Sequence, residues 1–540
     1  MITKRFALSM GMLFILLVTY ACGAAAPTQA PTPLREEPAA PAEPEGPIEA
    51  APSEPYVSDE YSYESPAQPE LSAPAGAPPN SKGGEPYDMF FEDYGVNPSV
   101  DTEDDHLSTF ALDVDTGSYT IMRNYLSEGN LPPQDSVRVE EYVNYFDQGY
   151  PLPPAHQAFG ITIDGAPSPF SETERYSMLR VGIQGYDVPD SERKDVSLTF
   201  VIDVSGSMDM DNRLGLVKRS LELLVERLHR GDQVSIVVYG TDARVVLDPT
   251  PGSDKGRILR AIHKLRPEGV TNAEAGLRLG YKMAMRAYNP EGVNRVILCS
   301  DGVANMGETE WDAILHEVRG YVEEGVMLTS IGFGMDNYND VLMEQLADNG
   351  DGFYAYVDDM DEAERLFIDD LTSTLQTIAL DAKVQVDFNP EVVARYRLVG
   401  YENRDVADED FRDNTVDAGE VGAGHTVTAL YEVKLYPQAF GRIATVYLRW
   451  QDPDTREVVE LSKDFDSYQM SESFRRADPH FQWSVVVAEY AEILRDSYWA
   501  EDSSLDAVYK EAQWVSEYLP RDEDVSEFVE LVRKARRLVD

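Results

Sequence analysis

Cysteine is almost missing from this 540-residue chain: only Cys22 and Cys299 are present. Two cysteines exclude a disulfide framework and a thiolate metal cluster. Histidine is sparse as well. The seven (His106, His156, His229, His263, His316, His425 and His480) are scattered, and none lies in the segments singled out below. No HExxH and no GxSxG occurs, so the zinc-protease and nucleophile-elbow chemistries lack their residues. Basic residues are outnumbered: 46 Lys and Arg against 97 Asp and Glu give a formal net charge of −51. Phosphate recognition needs a basic footprint, so nucleic-acid binding is excluded as a role. A charge of this size fits an exposed, highly soluble surface that attracts cations. Beyond the first 22 residues no apolar run is long enough to cross a membrane.

The first 22 residues are different. Lys4 and Arg5 precede the mostly apolar Phe6–Tyr20, the layout of an export signal. It ends in Thr19-Tyr20-Ala21-Cys22-Gly23, which resembles a bacterial lipobox with Thr19 where Leu, Val or Ile is usual. The resemblance implies that Cys22 becomes a lipidated N-terminus. The alternatives are an ordinary signal peptide or an uncleaved anchor. Residues 23–86 are rich in Pro, Ala and Glu and are expected to be a disordered linker that sets a folded region away from the membrane. The expected location is the cell envelope, with the chain exported and held through lipid in either the cytoplasmic membrane or the outer membrane.

What the chain does contain is concentrated at Phe200–Met208, FVIDVSGSM. An apolar, β-branched run feeding a glycine-containing turn reads as a buried strand delivering its tip to a loop. Asp203, Ser205 and Ser207 alternate there, so one carboxylate and two hydroxyls can meet at one point. Such hard oxygen donors suit Mg²⁺, Ca²⁺ or Mn²⁺. Thr271 precedes a helical pattern, and VILCSD (Val296–Asp301) is a second apolar strand that ends in a carboxylate and is followed by Gly302. The bland alternative is that these residues cap helices and close turns. Two hydroxyls and few carboxylates leave a divalent charge incompletely balanced, which anticipates a further anion.

The surrounding order is strand–helix alternation from 194 to 376, the pattern of a mainly parallel sheet with helices on both faces and its ligand site at the carboxyl ends of the strands. Before and after it come period-two strands. Val384, Val386 and Phe388 alternate with polar residues, and Val427, Ala429, Tyr431, Val433 and Leu435 share one face. These flanks are expected to form one β-sandwich into which the central domain is inserted. Asp113, Asp115 and Ser118 are expected to cap a helix. From Pro479 three apolar faces at helical spacing follow, centred on Trp483, Leu505 and Phe528.

The ordered set Asp203-x-Ser205-x-Ser207, Thr271, Asp301 resembles the metal-ion-dependent adhesion site of von Willebrand factor type A (vWA) domains. The stretches LSTFALDVDTGSY and LPPQDSVRVEEYVNYF, the sandwich strands and the terminal helices resemble a bacterial family of vWA envelope lipoproteins. The expected organisation is a signal peptide at 1–22, a linker at 23–86, an N-terminal α+β region at 87–155, first sandwich strands at 156–193, the vWA domain at 194–376, the remaining sandwich at 377–470 and helices at 471–540. The fold class implied is α/β, a doubly wound sheet inserted in a β-sandwich. The resemblance implies that Asp203, Ser205, Ser207, Thr271 and Asp301 hold a divalent cation, Mg²⁺ first. Gly206, Gly302 and Asn337, the last in the GFGMDN stretch, shape the rim. The function implied is non-enzymatic docking of a partner protein that supplies an Asp or Glu to the metal. A purely structural metal and a metal-dependent hydrolase are the alternatives.

Overall fold

The computed structural model describes residues 89–539 apart from 155–156, 171–175, 190, 211–212, 303–307, 336–337, 370–374 and 417. The export signal with Cys22, the linker, and Asn337 therefore lie outside the described residues. Among the described residues no helix is long and apolar enough to cross a membrane.

The central sheet has six strands in the order Tyr354–Val357, Met327–Phe333, Val293–Ser300, Val196–Asp203, Gln233–Tyr239, Ala243–Pro251. The first five run parallel, and the last pairs antiparallel with Gln233–Tyr239. Val196–Asp203 is central and every residue in it is buried. A strand covered on both faces has no solvent side to make polar, and its two hydroxyls are bonded inside, Ser197 Oγ to Ala287 O and Thr199 Oγ1 to Ser235 Oγ, each at 2.8 Å. Alternate residues serve opposite faces. Phe200 and Ile202 join the core beneath Leu214–Arg227, while Val201 joins the core under Ala273–Arg286. Gly280 allows that second helix to lie close, since a Cβ there would fall 2.3 Å from Val201 Cγ2. The antiparallel edge strand Ala243–Pro251 has no counterpart in the sequence reading. It is half-exposed and has little apolar periodicity.

Two five-stranded antiparallel sheets form the sandwich. One contains Gly419–Gly422, Thr377–Phe388, Arg442–Gln451 and Val458–Asp466, with Leu107–Ala111 also pairing with Thr377–Phe388. The other runs Val100–Asp101, Val393–Val399, Thr426–Leu435, Tyr176–Gly185, Phe159–Pro167. Strands that precede the central sheet in the chain thus pair with strands that follow it, so the central sheet is an insertion in the sandwich. Phe159, Leu179, Val384, Phe388, Val433 and Trp450 meet in its core.

The helices Pro479–Leu494, Leu505–Ser516 and Glu523–Val539 share a core with the early helices Gly117–Ser127 and Val139–Asn144. Trp483 and Phe528 meet at 5.2 Å between ring centroids, with Phe146 edge-on to both. The expected capping role of Asp113, Asp115 and Ser118 is not what the structure has. Thr116 stands at the cap of Gly117–Ser127 without a side-chain bond. Asp113 and Asp115 instead face the Arg404 guanidinium at 3.2 and 3.4 Å, and Ser118 Oγ donates to the Ser136 carbonyl at 2.5 Å. Arg404 lies almost three hundred residues away, a separation that no local pattern signals. It also reaches Glu344 and Asp348 at 3.1 and 2.9 Å, while Arg138 pairs with Glu141 and, at 2.7 Å, with Asp340.

Candidate functional site

Asp203 and Asp301 end, or directly follow, two adjacent parallel strands. Parallel pairing puts their carboxyl ends side by side, which is how residues about a hundred positions apart come together. The loop after Asp203 is held from three sides. Val204 N donates to Tyr239 O at 2.9 Å, Glu268 N donates to Val204 O at 2.5 Å, and Gly206 N donates to Gly269 O at 3.1 Å. The last bond ties the Asp203–Ser207 turn to the loop that carries Thr271. Gly269 has φ +79°, and a Cβ on it would lie 2.3 Å from Thr241 Oγ1, so the approach of its loop to the one after Gln233–Tyr239 requires glycine there. Gly302 has φ +121°, a second backbone position that suits glycine. At Gly206 a Cβ would meet Gly269 O only at 3.6 Å, an ordinary contact.

The side chains converge as follows. Asp203 Oδ1 accepts from Ser205 N at 2.7 Å, and its Oδ2 accepts from Ser300 Oγ at 3.2 Å. The Ser205 and Ser207 hydroxyls are 2.9 Å apart. The Asp301 carboxylate is held by Arg213, whose Nη1 donates to Asp301 Oδ2 at 2.7 Å. Asp203 is fully buried and Asp301 nearly so, whereas Gly206 and Ser207 are exposed and Thr271 is half-buried. The carboxylates thus lie beneath a hydroxyl-bearing rim that opens to solvent. Among the described residues, the Thr271 hydroxyl makes no hydrogen bond to Asp203, Ser205, Ser207 or Asp301. The carbonyl of its loop neighbour Gly269 links it to them through Gly206.

Two carboxylates share this buried place. Burial, and then the charge of Asp301, push the Asp203 carboxyl up to about 6. Burial also raises Asp301, against the pull of Ser207 and Arg213. Crowded, desolvated carboxylates stay ionised more readily when a cation comes between them. Two carboxylates with two or three hydroxyls are the hard oxygen set a small divalent cation takes, so the residues present fit such an ion. Ser300 and Arg213, which bond to Asp203 and Asp301, are neighbours that the sequence reading omits. Ser300 lies one residue from Asp301 within VILCSD, a visible signal. Arg213 sits at the start of a helix with no motif around it.

Residues 197–369 match the family model for the von Willebrand factor type A domain, residues 85–179 the model described as von Willebrand factor, and residues 373–538 the model described as Uncharacterized protein YfbK, C-terminal. Fold and site together define a bacterial vWA-domain protein with its own C-terminal region. The chain is 34% identical over 478 residues to the Uncharacterized protein YfbK of Escherichia coli (strain K12), an alignment that covers 83% of this chain and 81% of that protein. The chain belongs to the YfbK family. It is also 32% identical over 148 residues to the mouse inter-alpha-trypsin inhibitor heavy chain H2, across 26% of this chain and 16% of that one. Among solved structures, the von Willebrand factor type A protein from Catenulispora acidiphila aligns at 15% identity with a TM-score of 0.44, covering 72% of this chain and 91% of that one.

Proposed function

We propose that this protein is a lipid-anchored binding module of the cell envelope whose vWA domain docks a partner protein through a divalent cation. The observation that carries the reading is the meeting of Asp203, Ser205, Ser207 and Asp301 at the open end of the central strands. Asp203 and Asp301 would hold the cation, Mg²⁺ before Ca²⁺ or Mn²⁺, with the hydroxyls of Ser205, Ser207 and Thr271. When bound, it supplies a hard positive charge for one carboxylate oxygen of an Asp or Glu on the partner. Ser300 orients Asp203, and Arg213 orients Asp301.

The loops around the site suit a protein partner. Met210, 52% exposed, and Val270, 67% exposed, stand on the two loops that carry the Ser207 and Thr271 hydroxyls. An apolar rim around a charged centre is what a protein surface can cover. The role is one of binding, without turnover. Both carboxylates of the site are assigned to holding the cation, which leaves no separate base to activate a water on it. Cys22 would carry the lipid, and residues 23–86 would space the folded part from the membrane.

The test is calorimetric titration of Mg²⁺ into the purified full chain and into Asp203→Asn. Asn can keep the bond from Ser205 N while removing the charge. Saturable binding in the wild type that Asp203→Asn removes supports the site, and partner capture that a chelator abolishes supports the docking role. Equal titration curves for the two proteins would refute the site. If Asp203→Asn fails to fold, the cation has a structural role instead.

A further inference from the structure

A cavity of about 140 Å³ lies away from the strand-end site, between four segments remote in sequence. They are the stretch after Met89–Phe90, the turn Gln134–Ser136 with the start of Val139–Asn144, the loop after Val393–Val399, and the end of Pro479–Leu494. Arg138, Glu140, Glu402 and Arg495 are among its walls, and none of them belongs to the strand-end site.

Three buried polar atoms on these walls are unmatched. Glu140 is 2% exposed. Its Oε2 accepts from Tyr401 N at 2.9 Å, while its Oε1 has no hydrogen-bond partner among the described residues. Arg138 is 5% exposed. Its Nε pairs with Glu141 and its Nη1 donates to Asp340 Oδ2 at 2.7 Å, but its Nη2 has no such partner. Arg495 is packed as closely: Nη1 meets Glu402 at 3.1 Å, Nη2 meets Glu492, and Nε is left over. A buried donor or acceptor without a partner costs stability, so one acceptor and two donors around a single cavity point to a guest that matches them.

The pattern narrows what that guest is. Guanidinium N–H groups only donate, and a carboxylate accepts from them in the best geometry. An ionised glutamate only accepts, and an ammonium is its strongest donor. A metal ion would suit Glu140 and be repelled by the arginines, while a simple anion would suit the arginines and be repelled by Glu140. A zwitterion suits both. Size sets a limit too. A water takes about 30 Å³ of liquid, so the cavity holds the volume of about four waters, which is room for a small zwitterion only. Burial, and then the charge of Glu402, push the Glu140 carboxyl up to about 7, and an ammonium against it would draw it back to the charged form.

We propose that this cavity binds a free α-amino acid of the size of glycine or alanine, its carboxylate on Arg138 and Arg495 and its ammonium on Glu140. The proposal does not rest on the cation reading of the strand ends. Because the walls come from the N-terminal region, the sandwich and the C-terminal helices, the bound amino acid would fasten these parts together.

The experiment titrates glycine, L-alanine and L-phenylalanine into the full chain by calorimetry, beside acetate and glycinamide, which each lack one of the two charges. The same ligands are titrated into Glu140→Gln, whose amide oxygen can keep the bond from Tyr401 N while its NH₂ replaces the acceptor. Glycine or L-alanine should bind saturably with Kd below about 1 mM, within what so small a ligand allows. Acetate and glycinamide should bind at least about tenfold more weakly, and Glu140→Gln should cost glycine at least about tenfold, since each loses a charged hydrogen bond. L-phenylalanine, too large for the cavity, should give no saturable heat. If water alone serves the three atoms, no amino acid binds, and the proposal falls. Acetate binding as tightly as glycine, or glycine affinity unchanged in Glu140→Gln, overturns it as well. Should Glu140→Gln not fold, the wild-type comparison of glycine with acetate and glycinamide decides, and equal affinities overturn the proposal.

Discussion

Buried carboxylates gather in two places in this molecule, and the two are built differently. At the junction of the central domain with its flanks, Asp113, Asp115, Glu141, Asp340, Glu344 and Asp348 surround Arg138 and Arg404. At the carboxyl ends of the central strands, Asp301 pairs with Arg213, and Asp203 lies beside them with serine hydroxyls. Both places hold more acid than base. The junction is closed over by helices and strands, and burial raises the Glu141 and Glu344 carboxyls against the pull of Arg138. The strand-end site opens to solvent through Ser207, and its hydroxyls offer lone pairs that the guanidinium-filled junction lacks. The same residue type therefore serves a fastening in one place and the proposed binding site in the other. What differs is whether the remaining partners are guanidiniums or open hydroxyls.

The comparison is broken most forcefully at the junction. Arg138→Met leaves Glu141 and Asp340 buried without their guanidinium, and about 3–5 kcal/mol of stability is expected to go, read as a lowered denaturation midpoint. The loss should shrink in acid, where the carboxylates are neutral. Asp203→Asn should do the reverse: at least about a hundredfold loss of Mg²⁺ affinity by calorimetry, with a metal-free melting temperature no lower than that of the wild type. An unfolded Asp203→Asn would make the strand-end site a second fastening and erase the distinction.

Next comes the pH dependence. A carboxyl whose folded value lies above its unfolded value binds its proton more tightly when folded. Its stabilising effect is full in acid and is lost as pH rises through the folded value. For Glu344, which burial pushes up to about 7, stability should fall between about pH 5 and pH 8. Glu344→Gln should flatten that fall by about 1–3 kcal/mol, checked by chemical denaturation across the range. The smallest effect belongs to an exposed pair. Arg286 and Asp248, 3.2 Å apart and both more than half exposed, should contribute under about 0.5 kcal/mol, so Arg286→Ala should melt with the wild type.

The sequence alone went far where function and fold are written locally. Phe200–Met208 announced a buried strand with a polar tip because a strand covered on both faces has no solvent side and is mostly apolar. The parallel sheet followed from strand–helix alternation, and the split sandwich from period-two strands on both flanks. Local writing failed at Ala243–Pro251, an edge strand with one wet face and weak periodicity, and at Val393–Val399, where arginines interrupt the apolar alternation. It also misjudged Asp113 and Asp115 as caps, since their partner Arg404 is close only after the sandwich closes.

What the sequence by itself determined was the inventory: a chain poor in base and thiol, with the donor residues at strand tips and loops, and apolar patterns strong enough to assign most of the elements. Tertiary structure alone decided the charge environment of those donors. Parallel pairing set Asp301 beside Asp203, burial raised both carboxyls, and a helix-start arginine with no motif around it was brought to Asp301. Electrostatic interaction depends on distance and on the exclusion of water, and neither exists until the chain is folded.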